Sequence, residues 1–153
     1  MASNALRDQI TCSGALIYSV TTKRFLLLQK ARGKHAGTWG LVGGTALEGE
    51  SAWQSLQREI LEEIGFKLDI IKTVPIESFV SVDTSFNFHT YLCLVESEFV
   101  PILSDEHCGW AWTKIETAPK PLHQGLKSSF SNKTIRNKLQ TVLDVINLFL
   151  KEF

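Results

Sequence analysis

The chain has 153 residues, 44% hydrophobic and 21% charged, the balance of one globular domain (residues 1–153) that can bury a core without disulfide or metal staples. Lys plus Arg number 16 and Asp plus Glu number 16, so the formal net charge is zero. That balance supplies no electrostatic drive for sequence-independent binding to nucleic acid or to a membrane.

The polar start "MASNALRDQ" lacks the apolar core of a signal peptide. Next, "CSGALIYSV" (12–20) and "RFLLLQK" (24–30) are β-prone runs around a polar "TTK" turn and predict a hairpin. Residues 31–50 read as a long glycine-rich loop with one short strand around Trp39 to Val42; loops of that length in compact domains are commonly functional. Ser51 with Gln54 fits a capping box, so a helix starts near Ala52. Gly65 supplies the left-handed stop, and Phe66 is expected to fold back onto Leu61. "LDIIKTVPIESFVSV" and "FNFHTYLCLVESEF" are β-like, Ser104 to Cys108 reads as a turn, and "GWAWTKIE" as a further short strand. "APKPLHQGL" reads as a loop punctuated by proline and glycine. From Ser131 onward, Ile135, Leu139, Val142 and Ile146 at helical spacing predict a closing amphipathic helix. Strands mixed with two helices imply an α/β layered domain.

Cys12, Cys93 and Cys108 are odd in number, widely spaced and form no CxxC pair, which excludes a zinc knuckle or a disulfide framework as the reading. They read as small buried hydrophobes in a reducing compartment. The late apolar run "VLDVINLFL" is interrupted by Asp144 and Asn147 and falls short of the ~20 residues of a membrane span. A cytoplasmic location is the expectation.

The helix after the glycine loop carries the chemistry. At ~100° per residue, Glu59, Glu62 and Glu63 fall within about 100° of one another, beside the apolar side made by Ala52, Leu56, Ile60 and Ile64. One reading is a solvated acidic face with an Arg58–Glu62 salt bridge. The other is a cation site, because converging carboxylates are the hard oxygen donors that Mg²⁺ takes together with substrate phosphates. Gly43 and Gly44 let backbone approach a ligand, and a free carbonyl there adds a donor. No Gly-Lys-Ser/Thr follows, so this is not a Walker A loop. Lys30, Arg32 and Lys34 are the nearest basic candidates for phosphate; a solvated strand end is the alternative.

Gly44, Glu50, Arg58-Glu59-Ile60, Glu62-Glu63 and Gly65-Phe66 match, position by position, the signature of the Nudix hydrolases, which the chain therefore resembles. "GTWGLVGG" also looks like the Trp-containing approach to that box, with Trp39 a substrate-binding candidate; Val42 departs from the proline many members carry there. The resemblance implies an α/β/α sandwich with a mixed central sheet. It implies cleavage of a nucleoside diphosphate linked to another moiety, with Mg²⁺ or Mn²⁺. By position, Glu59, Glu62 and Glu63 look like the metal ligands, aided by the Gly43 carbonyl. Arg58 looks like the residue that orients a catalytic glutamate, and Glu50, Gly44 and Gly65 look structural or outer-sphere. Members often add an acid from a late loop, where "DEHCGWAW" offers Glu106, with Asp105 second.

The proton acceptor is one of Glu59, Glu62 and Glu106. Phe79, Phe86, Phe88, Trp110 and Trp112 form either a base-stacking wall or core packing. His123 and Lys120 belong to a specificity loop or to a plain turn. A nucleoside triphosphate or nucleotide sugar is the favoured substrate. Pro75 does not match the proline placement of ADP-ribose-cleaving members, whereas the "EH…W" segment keeps dinucleoside polyphosphates open. A dinucleoside polyphosphate or ADP-ribose pyrophosphatase, or a non-hydrolytic nucleotide sensor, is the alternative. Diphosphate isomerase chemistry calls for a cysteine facing the cluster, and none lies near the box in sequence. The partner expected is a small-molecule nucleotide, the assembly a monomer or homodimer.

Overall fold

Strand β1 (Ile10–Ser19) alternates its side chains between two hydrophobic layers. Ala15 and Ile17 enter one, Leu16 and Tyr18 the other, so the strand is buried on both faces, as the apolar run requires. The computed structural model describes residues 9–150; the polar N-terminal stretch, apart from Gln9, lies outside the described residues. One edge of β1 runs parallel to β6 (Phe86–Val95) along its whole length. The other edge is shared: its end pairs antiparallel with β2 (Arg24–Lys30), its start with β4 (Val42–Thr45). β3 (Trp39–Gly40) in turn continues along β2. The single short strand expected near Trp39 to Val42 is thus two strands, broken at Leu41, because β1 and β2 diverge and each recruits its own piece of the glycine loop.

The sheet has seven strands and is mixed. β5 (Lys72–Val80) pairs antiparallel with β6 and forms one edge. β7 (His107–Thr113) pairs antiparallel with β2 and begins earlier than expected, inside the anticipated 104–108 turn.

Helix α1 (Ala52–Ile64) covers one face. Its capping box is formed in both directions: the Gln54 N–H donates to Ser51 Oγ at 3.1 Å, and the Ser51 N–H donates to Gln54 Oε1 at 2.9 Å. Gly65, at φ 89°, ends it with its N–H on the Leu61 carbonyl. Phe66 packs edge-on against Phe99 at 5.4 Å and joins the core, while Leu61 is 52% exposed. Burying Leu56, Ile60 and Ile64 stabilises this packing by roughly 5–9 kcal/mol. That outweighs the few tenths of a kcal/mol lost to the like-charge Glu59–Glu63 pair.

The opposite face carries α2 (Gln124–Ser131) and α3 (Lys133–Leu150). Two helices are expected, and three α-helices plus a 3-10 turn at Ile115–Thr117 are present among the described residues: "HQGL", read as loop, opens α2. His123 Nδ1 accepts the Gly125 N–H at 3.2 Å and serves as its cap. Asn132 Oδ1 caps α3 through the Ile135 N–H at 3.2 Å. No helix among the described residues is long and apolar enough to cross a membrane.

Candidate active site

The site is assembled where β4 meets α1. Pairing with β1 sets Gly43 opposite Gly14 and Gly44 opposite Ser13. A Cβ at Gly43 would collide with the Ser13 carbonyl oxygen, and one at Gly44 would lie 2.6 Å from Cδ and Oε1 of Glu59. The two glycines therefore bring bare backbone against the acids of the helix. The Gly43 N–H donates to Glu63 Oε2 at 2.9 Å. Glu63 is only 4% exposed. Burial pushes its carboxyl up to about 8; the charges of Glu59 and Glu106 add to the rise, while the Gly43 N–H and Lys30 oppose it.

Arg58 organises the remaining acids. Its Nε and Nη2 form a fork onto Glu50, at 2.9 and 3.0 Å. Nη1 donates to Glu59 at 3.1 Å and to both oxygens of Glu62 at 3.3 Å, and Nη2 also reaches the Thr45 carbonyl at 3.2 Å. Glu50 in turn accepts the Leu47 N–H at 2.7 Å, tying the glycine loop to the helix. The Arg58 hydrogen bonds, then the Leu47 N–H, hold the Glu50 carboxyl below its ordinary range. Glu59 is shifted upward, chiefly by burial, against the pull of Arg58. Glu62 is 56% exposed and faces the cleft. The Arg58–Glu62 bridge of the first reading is present, and Glu59, Glu62 and Glu63 line one cleft.

Glu106 and His107 face this cluster from the start of β7, and one donor atom from each of Glu63, Glu106 and His107 lies within 4.8 Å of the others. The acids occupy one end of a cleft of about 920 Å³ that extends to α2 and α3. Lys30 lines it, as do Phe79, Phe86 and Phe88. Arg32 does not line it; its guanidinium pairs with Asp105 at 3.1 Å on the surface. Lys34, Asp105 and Lys120 are also absent from the lining. Nor does Trp39 line it: its main chain instead clamps the following loop, the N–H on Pro121 and the carbonyl on the His123 N–H, at 2.9 and 2.8 Å. Trp112 belongs to the core, with Nε1 donating to the Phe99 carbonyl at 3.0 Å, and Trp110 stands outside the cleft.

Sequence reasoning passed over His35, whose ring meets that of His123 edge-on at 4.7 Å in the cleft, and the α2 and α3 residues Ser128, Ser129 and Arg136. His107 was visible only as part of an acidic turn. Of the cysteines, Cys93 is buried as expected, but Cys108 is exposed. Cys12 lines the cleft, since β1–β4 pairing sets it beside Thr45 at 3.4 Å, so a cysteine does reach the site despite its distance from the box in sequence. The donor set fits a divalent cation: hard oxygens converge around a buried carboxyl that burial makes reluctant to ionise, and Arg58 neutralises only the outer acids.

Residues 11–132 match the NUDIX domain. The chain is 29% identical over 132 residues to the dihydroneopterin triphosphate diphosphatase of Escherichia coli (strain K12), covering 77% of this chain and 83% of that protein. It is 32% identical over 89 residues to Nudix hydrolase 6 of Arabidopsis thaliana, covering 54% of this chain but only 30% of that relative's length. The Nudix hydrolase RenU from M. smegmatis shares the fold, with a TM-score of 0.70 over 86% of each chain at 20% identity. The glycine strand, the box helix and the acid cluster they create lie inside that matched span, and the chain belongs to the NUDIX family.

Proposed function

We propose that the cleft hydrolyses a phosphoanhydride bond in a nucleoside diphosphate derivative, a nucleoside triphosphate or nucleotide sugar being favoured, with Mg²⁺ or Mn²⁺ as cofactor. The observation that carries this reading is Glu63, buried against the Gly43 N–H, with Glu59, Glu62 and Glu106 around it at the end of a nucleotide-sized cleft. The triphosphate preference draws on the Escherichia coli relative, named for dihydroneopterin triphosphate.

Glu59, Glu62, Glu63 and the Gly43 carbonyl would hold the cation. When bound, it supplies positive charge to phosphate oxygens and makes a water more acidic. The protein's own groups do the rest. Arg58 fixes Glu59 and Glu62 in register, so neither needs reorganising during reaction. Glu59, whose carboxyl burial shifts upward against the pull of Arg58, is the favoured acceptor of the water proton; Glu62 and Glu106 face the same space. Lys30, at the rim of the cluster, offers a cation for the phosphate chain. Phe79, Phe86 and Phe88 give the base apolar faces to stack on.

A substrate panel at fixed Mg²⁺ tests this: nucleoside triphosphates, nucleotide sugars, ADP-ribose, dinucleoside polyphosphates and 5′-capped RNA, with products identified by mass. The expected result is a nucleoside monophosphate plus the complementary phosphorylated product. Tight nucleotide binding with no cleavage anywhere in the panel would favour a sensing module instead.

A further inference from the structure

His107 opens β7 where its register with β2 slips. Gln29 faces Gly109 and Lys30 faces His107, which leaves Cys108 as the extra residue of a bulge. Bulges re-aim side chains. Here Cys108 is exposed, while the His107 imidazole lines the cleft with only 9% of its side chain accessible. Its Nδ1 is buried without a hydrogen-bond partner, and its Nε2 stands 4.0 Å from Glu63 Oε1. That separation is too long for a hydrogen bond. It does lie within the ~3.0–4.2 Å that separates two ligands of one ion held by bonds of ~2.1 Å. The two oxygens of Glu63 point to different partners: Oε2 takes the Gly43 N–H, and Oε1 faces the imidazole. Glu106 completes a compact trio.

We propose that Glu63, Glu106 and His107 seat a divalent cation with His107 as a nitrogen ligand, and that this seat prefers a first-row transition ion such as Mn²⁺ to Mg²⁺. The proposal rests on the reading of the acid cluster as a cation site and adds a donor from outside the box helix. Imidazole is the wrong partner for Mg²⁺, a hard ion that favours a regular octahedron of oxygens. It suits transition ions, whose affinity for nitrogen donors is higher. Glu106 stands exposed at a turn, so its side chain can adjust to complete the seat. The bulge accounts for the imidazole's aim: without Cys108 as the extra residue, Lys30 would face a different β7 side chain.

The experiment is electron spin-echo envelope modulation on nucleotide-free protein loaded with Mn²⁺ alone. Wild type is expected to show ¹⁴N modulation from a directly bound imidazole. His107→Gln should bind Mn²⁺ without that modulation, and His123→Asn, altered at a cleft histidine outside the trio, should keep it. Competition between the two ions should show the Mn²⁺-over-Mg²⁺ preference falling about tenfold or more in His107→Gln. Bound Mn²⁺ with no ¹⁴N modulation in wild type would overturn the nitrogen ligand and leave the carboxylate site standing. Modulation that survives in His107→Gln would also overturn it. No Mn²⁺ uptake at all would remove both this seat and the cation site beneath it.

Discussion

Glu63→Gln separates the electrical part of the site from its packing. Glutamine keeps an oxygen for the Gly43 N–H, now 2.9 Å from Glu63 Oε2, but carries no charge. In the metal-free protein, burial raises the Glu63 carboxyl from 4.5 to about 8. The folded chain therefore holds this proton more tightly than the unfolded chain. The stability linked to it is complete below pH 4.5, declines as pH rises, and is gone above about pH 8. At 1.36 kcal/mol per unit the ceiling is ~5 kcal/mol, and relaxation around the ionised group brings the expected difference to ~2–3 kcal/mol. The assay is urea unfolding in chelator from pH 5 to 8.5, followed by tryptophan fluorescence, Trp112 being buried in the core. Subtracting the variant's curve from the wild-type curve isolates Glu63. At pH 8 the variant should be the more stable protein while losing nearly all turnover. Added Mg²⁺ should restore the wild type by mass action and leave the variant unmoved. A variant no more stable than wild type at pH 8, or one with the same pH slope, would refute the buried-charge reasoning.

Other substitutions probe the remaining parts. Glu62→Gln, at an exposed position, should leave the circular dichroism spectrum intact and lower turnover by ~10³-fold or more; retained activity would contradict its assignment. Arg58→Lys cannot form the fork onto Glu50 while holding Glu59 and Glu62, and should lower kcat by about 100-fold with KM little changed. Gly44→Ala places a methyl 2.6 Å from the Glu59 carboxyl carbon, so Mn²⁺ affinity measured by calorimetry should weaken by about tenfold or more. Ser51→Ala removes half of the capping box and should cost ~1 kcal/mol, a Tm drop of roughly 2–4 °C, with turnover unchanged.

The parts legible in the sequence are those set by local rules. Ser51 and Gln54 marked the helix start, Gly65 its end, and the β1–β2 hairpin followed from apolar runs around a polar turn. The spacing of Glu59, Glu62 and Glu63 placed them together because one helix carries all three. What escaped depends on partners distant in the chain. Arg32 looked like a phosphate contact, but Asp105 lies beside it in the fold. Trp39 looked like a substrate contact, but it stands between β2 and the 121–123 loop, pairing with the first and bonded through its main chain to the second. α2 was hidden because its cap is a histidine side chain and its second residue a glycine, both poor helix signals. His107 was hidden because a bulge, which no local pattern announces, decides where its ring points. Cys12 reaches the cleft only through β1–β4 pairing.

The most direct test of the central claim is hydrolysis of nucleoside triphosphates and nucleotide sugars in H₂¹⁸O with Mg²⁺, read by mass spectrometry. The account predicts phosphorylated products with a single ¹⁸O on one of them, at a rate that collapses in Glu62→Gln. Nucleotides recovered whole and unlabelled from a folded, cation-loaded protein would contradict it.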